Sequence, residues 1–167
     1  MESEAATLLQ FLDAQRASVF DIIDGLSDAA LRRSVFPSGW TCVGLIRHLA
    51  VDDERYWFRA IAAGEELEGL SGDVDNTAWV VEPKVSTEAV LDLYREEIRR
   101  ANSIIAAMPI DAEPRGQHLH ASSSWPSPDG IIPNLRWIMV HVIEETARHA
   151  GHLDTARELL DGRTGLG

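Results

Sequence analysis

Residues 134–160, NLRWIMVHVIEETARHAGHLDTARELL, decide the fold class. Ile138, Val142, Glu145, His149, Leu153, Ala156 and Leu160 recur at steps of 4, 3, 4, 4, 3 and 4. That spacing draws one stripe along one face of a helix. Pro133-Asn134 opens the segment and Gly162 closes it, as helix ends require. The stripe is apolar at both ends, but Glu145 and His149 occupy its middle. A carboxylate isolated in a core is costly, so it must neutralise or meet a cation. The neighbouring Glu144 has Arg148 four residues on, a pairing worth about 0.2–0.5 kcal/mol on an exposed face. Glu145 is then the acid left needing a partner. His141 lies one turn before it and His152 one turn beyond His149.

Three further long segments read as helices. The first runs from Glu4 to Leu26, with Leu8, Leu12, Val19, Ile22 and Leu26 on one face, Gln15 as its polar member and Gly25 at its end. A short piece, Ser27 to Arg32, follows with Ser27 as N-cap. The turn Pro37-Ser38-Gly39 leads to Thr41, which caps a second long helix over Thr41 to Ala63 with Leu45, Ile46, Leu49, Tyr56, Trp57 and Ile61 on its apolar face. After an acidic loop, Ser86 or Thr87 opens the third, which ends at Met108 before Pro109. Residues 110–133 hold four prolines and a serine-rich patch, so they form a long irregular excursion before the last helix. Four amphipathic helices and no clear strand predict an all-α four-helix bundle, one domain over residues 1–167.

Composition narrows the function. Fifteen basic against 27 acidic residues leave a formal charge of −12, which argues against nucleic acid and against an anionic membrane surface. Cys42 is the single cysteine, so neither an internal disulfide nor a cysteine-based zinc cluster is available. No basic leader and no apolar run of membrane-spanning length stand out, and a cytoplasmic protein is expected. Fourteen arginines against the single Lys84, with much alanine, hint at a GC-rich bacterial genome. The nucleophile elbow, the phosphate-binding glycine loop and the His-Glu-x-x-His helix are absent from the sequence.

One helix alone offers too few convergent ligands for a metal. His48, between Leu45, Leu49 and Asp52 on a mostly apolar face, is the best candidate to join Glu145 and His149 if the two helices pack side by side. Two imidazoles and a carboxylate would leave a position open for water or substrate, the pattern of a catalytic site. The plainer alternatives are a core histidine bonded to backbone at His48 and an exposed Glu145 if the helix phase is off by one residue. His118 and His120 alternate like one face of a strand but read as loop residues, as do Ser122, Ser123 and Ser124.

At these residues the chain resembles a known group. His141-Val-Ile-Glu-Glu-Thr-Ala-Arg-His-Ala-Gly-His-Leu-Asp, and Gly39-Trp40-Thr41 leading into Leu45-Ile46-Arg47-His48-Leu49, resemble the DinB-like superfamily of metal-binding four-helix bundles. The chain looks closest to a short actinobacterial branch. That branch is similar to the N-terminal domain of mycothiol-dependent maleylpyruvate isomerase and to mycothiol and bacillithiol S-transferases. The resemblance implies metal ligands at His48, Glu145 and His149, with His141 and His152 at polar positions of the motif that are not usual ligands.

The expectation is therefore metal-assisted thiol transfer. A divalent ion, Zn²⁺ first and Ni²⁺ or another first-row metal next, would hold a small thiol such as mycothiol as its thiolate for attack on an electrophile. His152 would orient the thiol or accept its proton. Arg47 and Arg148 either hold a substrate carboxylate or act as surface ion-pair partners, and some of the five tryptophans line a pocket mouth, with Trp57 and Trp137 read as core. Two alternatives stay open: metal-dependent hydrolysis with His152 or Asp52 as base, and a non-catalytic, stress-associated metal-binding bundle, compatible with a homodimer.

Overall fold

The computed structural model describes residues 3–67, 79–117 and 131–165. Its elements are α1 (Glu4–Ile23), the short α2 (Asp28–Leu31), α3 (Cys42–His48) running directly into a π-helical segment (Leu49–Ala62), α4 (Thr87–Ala107) and α5 (Leu135–Asp161). The described residues are all-helical, with no strand among them, as the periodicity predicts. His118, His120, the three serines and Trp125 lie outside the described residues.

Local chemistry sets the helix starts. Ser3, Ser27, Thr41, Ser86 and Asn134 each accept a hydrogen bond from a backbone N–H in the first turn of the helix that follows. Each such cap contributes about 1 kcal/mol. At the other end of α5, Gly162 adopts φ 81°, the left-handed conformation that ends a helix. The first helix stops at Ile23, three residues before the expected Leu26.

Helix α1 packs along α5, the π-helical segment packs on α4, and α5 also meets the π-helical segment. Between them lie two apolar clusters. One gathers Val19, Leu45, Ile46, Leu49, Val90, Tyr94 and Leu153; the other gathers Leu12, Trp57, Phe58, Ala101, Ile138 and Val142. The polar member of the buried face of α1 is Arg16, which is 2% exposed, rather than Gln15, which is only half-buried. Arg16 forks onto Glu54, with Nε donating to Oε1 and Nη2 to Oε2, both at 2.6 Å. Its Nη1 donates to Asp13 and to Asn102, both at 2.8 Å. One guanidinium thus ties α1, the π-helical segment and α4 together.

The second long helix is the main departure from expectation. The sequence predicts a continuous helix over Thr41 to Ala63, but from Leu49 onward it winds with π geometry. Its buried residues come in adjacent pairs at 49/50, 53/54, 57/58 and 61/62, a strict four-residue step. In an α-helix each four-residue step drifts by about 40° around the axis. The wider i→i+5 turn reverses the sense of that drift, and the buried pairs stay on the core side of the segment. Two of those paired positions are acidic, Asp53 and Glu54.

Candidate metal centre

The end of α3 and the middle of α5 meet at two imidazoles. The His48 and His149 rings lie 5.0 Å apart, nearly perpendicular at 81°. His48 is fixed by its neighbours. Its Nδ1 lies 2.7 Å from Asp52 Oδ2, and since a carboxylate only accepts, Nδ1 donates this bond and Nε2 stands apart from it. The Trp79 indole stacks on the other side at 4.2 Å and also meets His149 edge-on at 5.6 Å. Gly44, one turn before His48, allows this: a Cβ there would sit 2.3 Å from the carbonyl oxygen of Trp79.

His149 is 7% exposed. Burial first, then the neighbouring His48, His152 and Arg148, push its pKa down to about 3, so its imidazole is neutral at physiological pH and available to a metal. Its Nε2 lies 3.6 Å from Glu145 Oε2, and its Nδ1 lies 3.3 Å from Nδ1 of the more exposed His152. The His152 ring in turn faces Trp40 at 6.3 Å, and Trp40 stacks on Phe36 at 4.8 Å. Trp79 and Trp40 therefore border the site, whereas Trp57 is buried in the core and packs with Trp137 at 5.7 Å.

The sequence-based set is thus brought together in part. His48, His149 and His152 share one neighbourhood, and Glu145 reaches it through His149. Glu145 is not without a partner, however. Arg148, expected to serve Glu144 alone, binds both acids, with Nη1 donating to Glu145 Oε1 at 2.7 Å. An arginine spans the three- and four-residue steps of a helix at once, which a pairing rule applied to one partner overlooks. Arg148 accordingly acts as an ion-pair partner.

Asp53 was missed. Ligand atoms of His48, Asp53 and His149 all lie within 4.8 Å of one another, while Glu145 falls with His141 and Glu144 in a second such group. Asp53 is 4% exposed, and its Oδ2 has no hydrogen-bond partner among the described residues. Burial first, then the carboxylates of Glu145, Glu54 and Asp52, push its pKa well above the usual carboxylate range. The signal is present: Leu49, Asp53, Trp57 and Ile61 step by four along the buried face, so Asp53 interrupts an apolar stripe as Glu145 does in α5. Two imidazoles, a buried carboxylate oxygen without a hydrogen-bond partner among the described residues and a second carboxylate form a donor set that fits a divalent first-row cation. A cleft of about 240 Å³ beside Tyr56, Ile61, Gly116 and Gln117 includes none of these histidines.

Among the described residues no helix is long and apolar enough to cross a membrane. No curated protein and no solved structure matches the chain. A family model described as mycothiol-S-transferase matches residues 7–162, a span that takes in every helix of the bundle but the first turn of α1, and with it both histidines of the site. The chain belongs to the mycothiol-S-transferase family.

Proposed function

We propose that this protein transfers mycothiol to an electrophilic small molecule, using a divalent metal held by His48, Glu145 and His149. Family membership brings the thiol. The observation that carries the metal reading is the meeting of the His48 and His149 rings at 5.0 Å, one from each of two helices and both flanked by carboxylates. When bound there, the cation would lower the pKa of a thiol from its usual value near ~8.5 so that the sulfur is a thiolate at neutral pH.

The chain's own residues supply the rest. Asp52 holds the His48 ring with Nε2 available. Trp79 covers both ligand rings and keeps water from that side. His152, more exposed than His149 and in contact with it, accepts the thiol proton at the edge of the site. Arg148 fixes Glu145 by one oxygen and leaves the other, Oε2, toward His149. The thiolate sulfur then forms a bond to the electrophilic carbon, whose leaving group or opened ring carries away the electron pair.

The test is conjugation of a chromogenic electrophile by the purified protein with mycothiol. Turnover that a chelator removes and added Zn²⁺ restores is expected. Thiol-dependent turnover indifferent to chelation would remove the metal from the reading, and no turnover across a broad electrophile panel would remove the transfer.

A further inference from the structure

The geometry points to Asp53 as a direct ligand of the cation at His48 and His149, so that the centre carries two imidazoles and two carboxylates. The inference rests on the metal reading above and deepens it. Three independent observations lead there.

The first is position. Asp53 offers an oxygen that lies with a nitrogen of His48 and one of His149 inside a 4.8 Å sphere of mutual distances. The second is an unmet requirement. A buried carboxylate oxygen without a hydrogen bond is rare in a folded protein, because its desolvation is not offset. Among the described residues, Asp53 Oδ2 is in that condition. The nearby cationic side chains are already engaged, Arg16 by Glu54 and Asp13, Arg148 by Glu144 and Glu145. Acidic groups surround it on its own segment and on α5, so a divalent cation is the partner that meets the charge. The third is backbone. Asp53 sits in the first turns of a π-helical segment that begins immediately after His48, and π turns inside helices are frequent at functional sites.

The consequence is electrostatic. Glu145 and Asp53 together cancel the formal charge of a divalent ion, whereas Glu145 alone would leave one positive charge. Oxygen-rich sets also favour harder ions than a three-histidine set does.

The test uses Co²⁺ as probe with chelator-stripped full-length protein. Three chains are compared: wild type, Asp53→Asn and Asp53→Cys. Asp53→Asn should weaken Co²⁺ binding by more than about 100-fold, beyond what loss of a ligand's hydrogen-bonding neighbour costs. The metal-free Asp53→Asn protein should melt no lower than metal-free wild type, since Oδ2 makes no hydrogen bond to the described residues that the amide would lose, while the Co²⁺-induced rise in melting temperature should shrink. Cobalt-loaded Asp53→Cys should show a thiolate-to-cobalt charge-transfer band that wild type, with its thiol at Cys42, does not. Binding by Asp53→Asn within about tenfold of wild type, or a cobalt-loaded Asp53→Cys without the band, overturns the assignment and leaves the metal reading standing. Failure of wild type to bind Co²⁺ overturns both.

Discussion

Replacing Arg16 with Met should destabilise the protein severely, and the structure sets the size of the effect. Arg16 is 2% exposed and Glu54 1%, and the guanidinium and carboxylate make two parallel bonds of 2.6 Å. Methionine fills much of the same volume but leaves the Glu54 carboxylate buried without its cation. Breaking a buried pair from one side costs about 3–5 kcal/mol. That is a large part of the ~5–15 kcal/mol that holds a domain folded. At about 2–4 °C per kcal/mol for a chain of this size, the melting temperature should fall by roughly 6–20 °C. Urea unfolding followed by far-ultraviolet circular dichroism measures it. The double variant Arg16→Met with Glu54→Met should recover much of the loss, because no charge is then stranded. A single Arg16→Met variant within about 1 kcal/mol of wild type would refute the reasoning, and so would a double variant whose loss equals the sum of the singles.

Three more outcomes follow from the site and its surroundings. With the His149 pKa pushed down to about 3 from 6.5, the unfolded chain takes up a proton below about pH 6.5 that the folded chain refuses, so metal-free stability should fall as pH drops from there toward 3; a His149 ring titrating near 6.5 by NMR would contradict this. Gly44→Ala places a Cβ against the Trp79 carbonyl at 2.3 Å, which should cost about 1–3 kcal/mol and, by displacing Trp79 from His48, weaken metal binding; unchanged Trp79 fluorescence and metal affinity would count against that seating. Cys42 is 2% exposed and burial raises its pKa to about 11, so thiol reagents should not modify the native protein at neutral pH and Cys42→Ser should retain thiol transfer; prompt alkylation would show the thiol to be accessible.

Much of this molecule was legible in the residues because local rules and the tertiary arrangement agree. The caps at Ser27 and Thr41 and the start of the last helix at Pro133-Asn134 are legible, because a side-chain acceptor precedes an apolar run. The stripe through α5 places His149 in the interior because Ile138 and Val142 precede it and Leu153, Ala156 and Leu160 follow it on the same face. What escaped was charge on a buried face. Asp52-Asp53-Glu54-Arg55 looks like a solvated patch in one dimension, yet Asp53 and Glu54 point inward and Glu54 meets an arginine 38 positions earlier in the chain. The same long-range pairing made Gln15 a better reading than Arg16, since an arginine in a core makes sense only with its acid in view. The π winding also escaped, because it follows from how the four-residue repeat packs on α4 and α5. Trp79 has no periodic context at all; its place over His48 depends on the missing side chain of Gly44, 35 positions away.

Zinc binding by chelator-stripped protein is the most direct measurement of the central claim, that α3 and α5 jointly hold a divalent ion through His48 and His149. Equilibrium dialysis of wild type, His48→Ala and His149→Ala should find zinc stoichiometric with the wild-type chain and lost from both variants while their helical content is retained. Equal zinc on all three chains, or none on wild type, would contradict it.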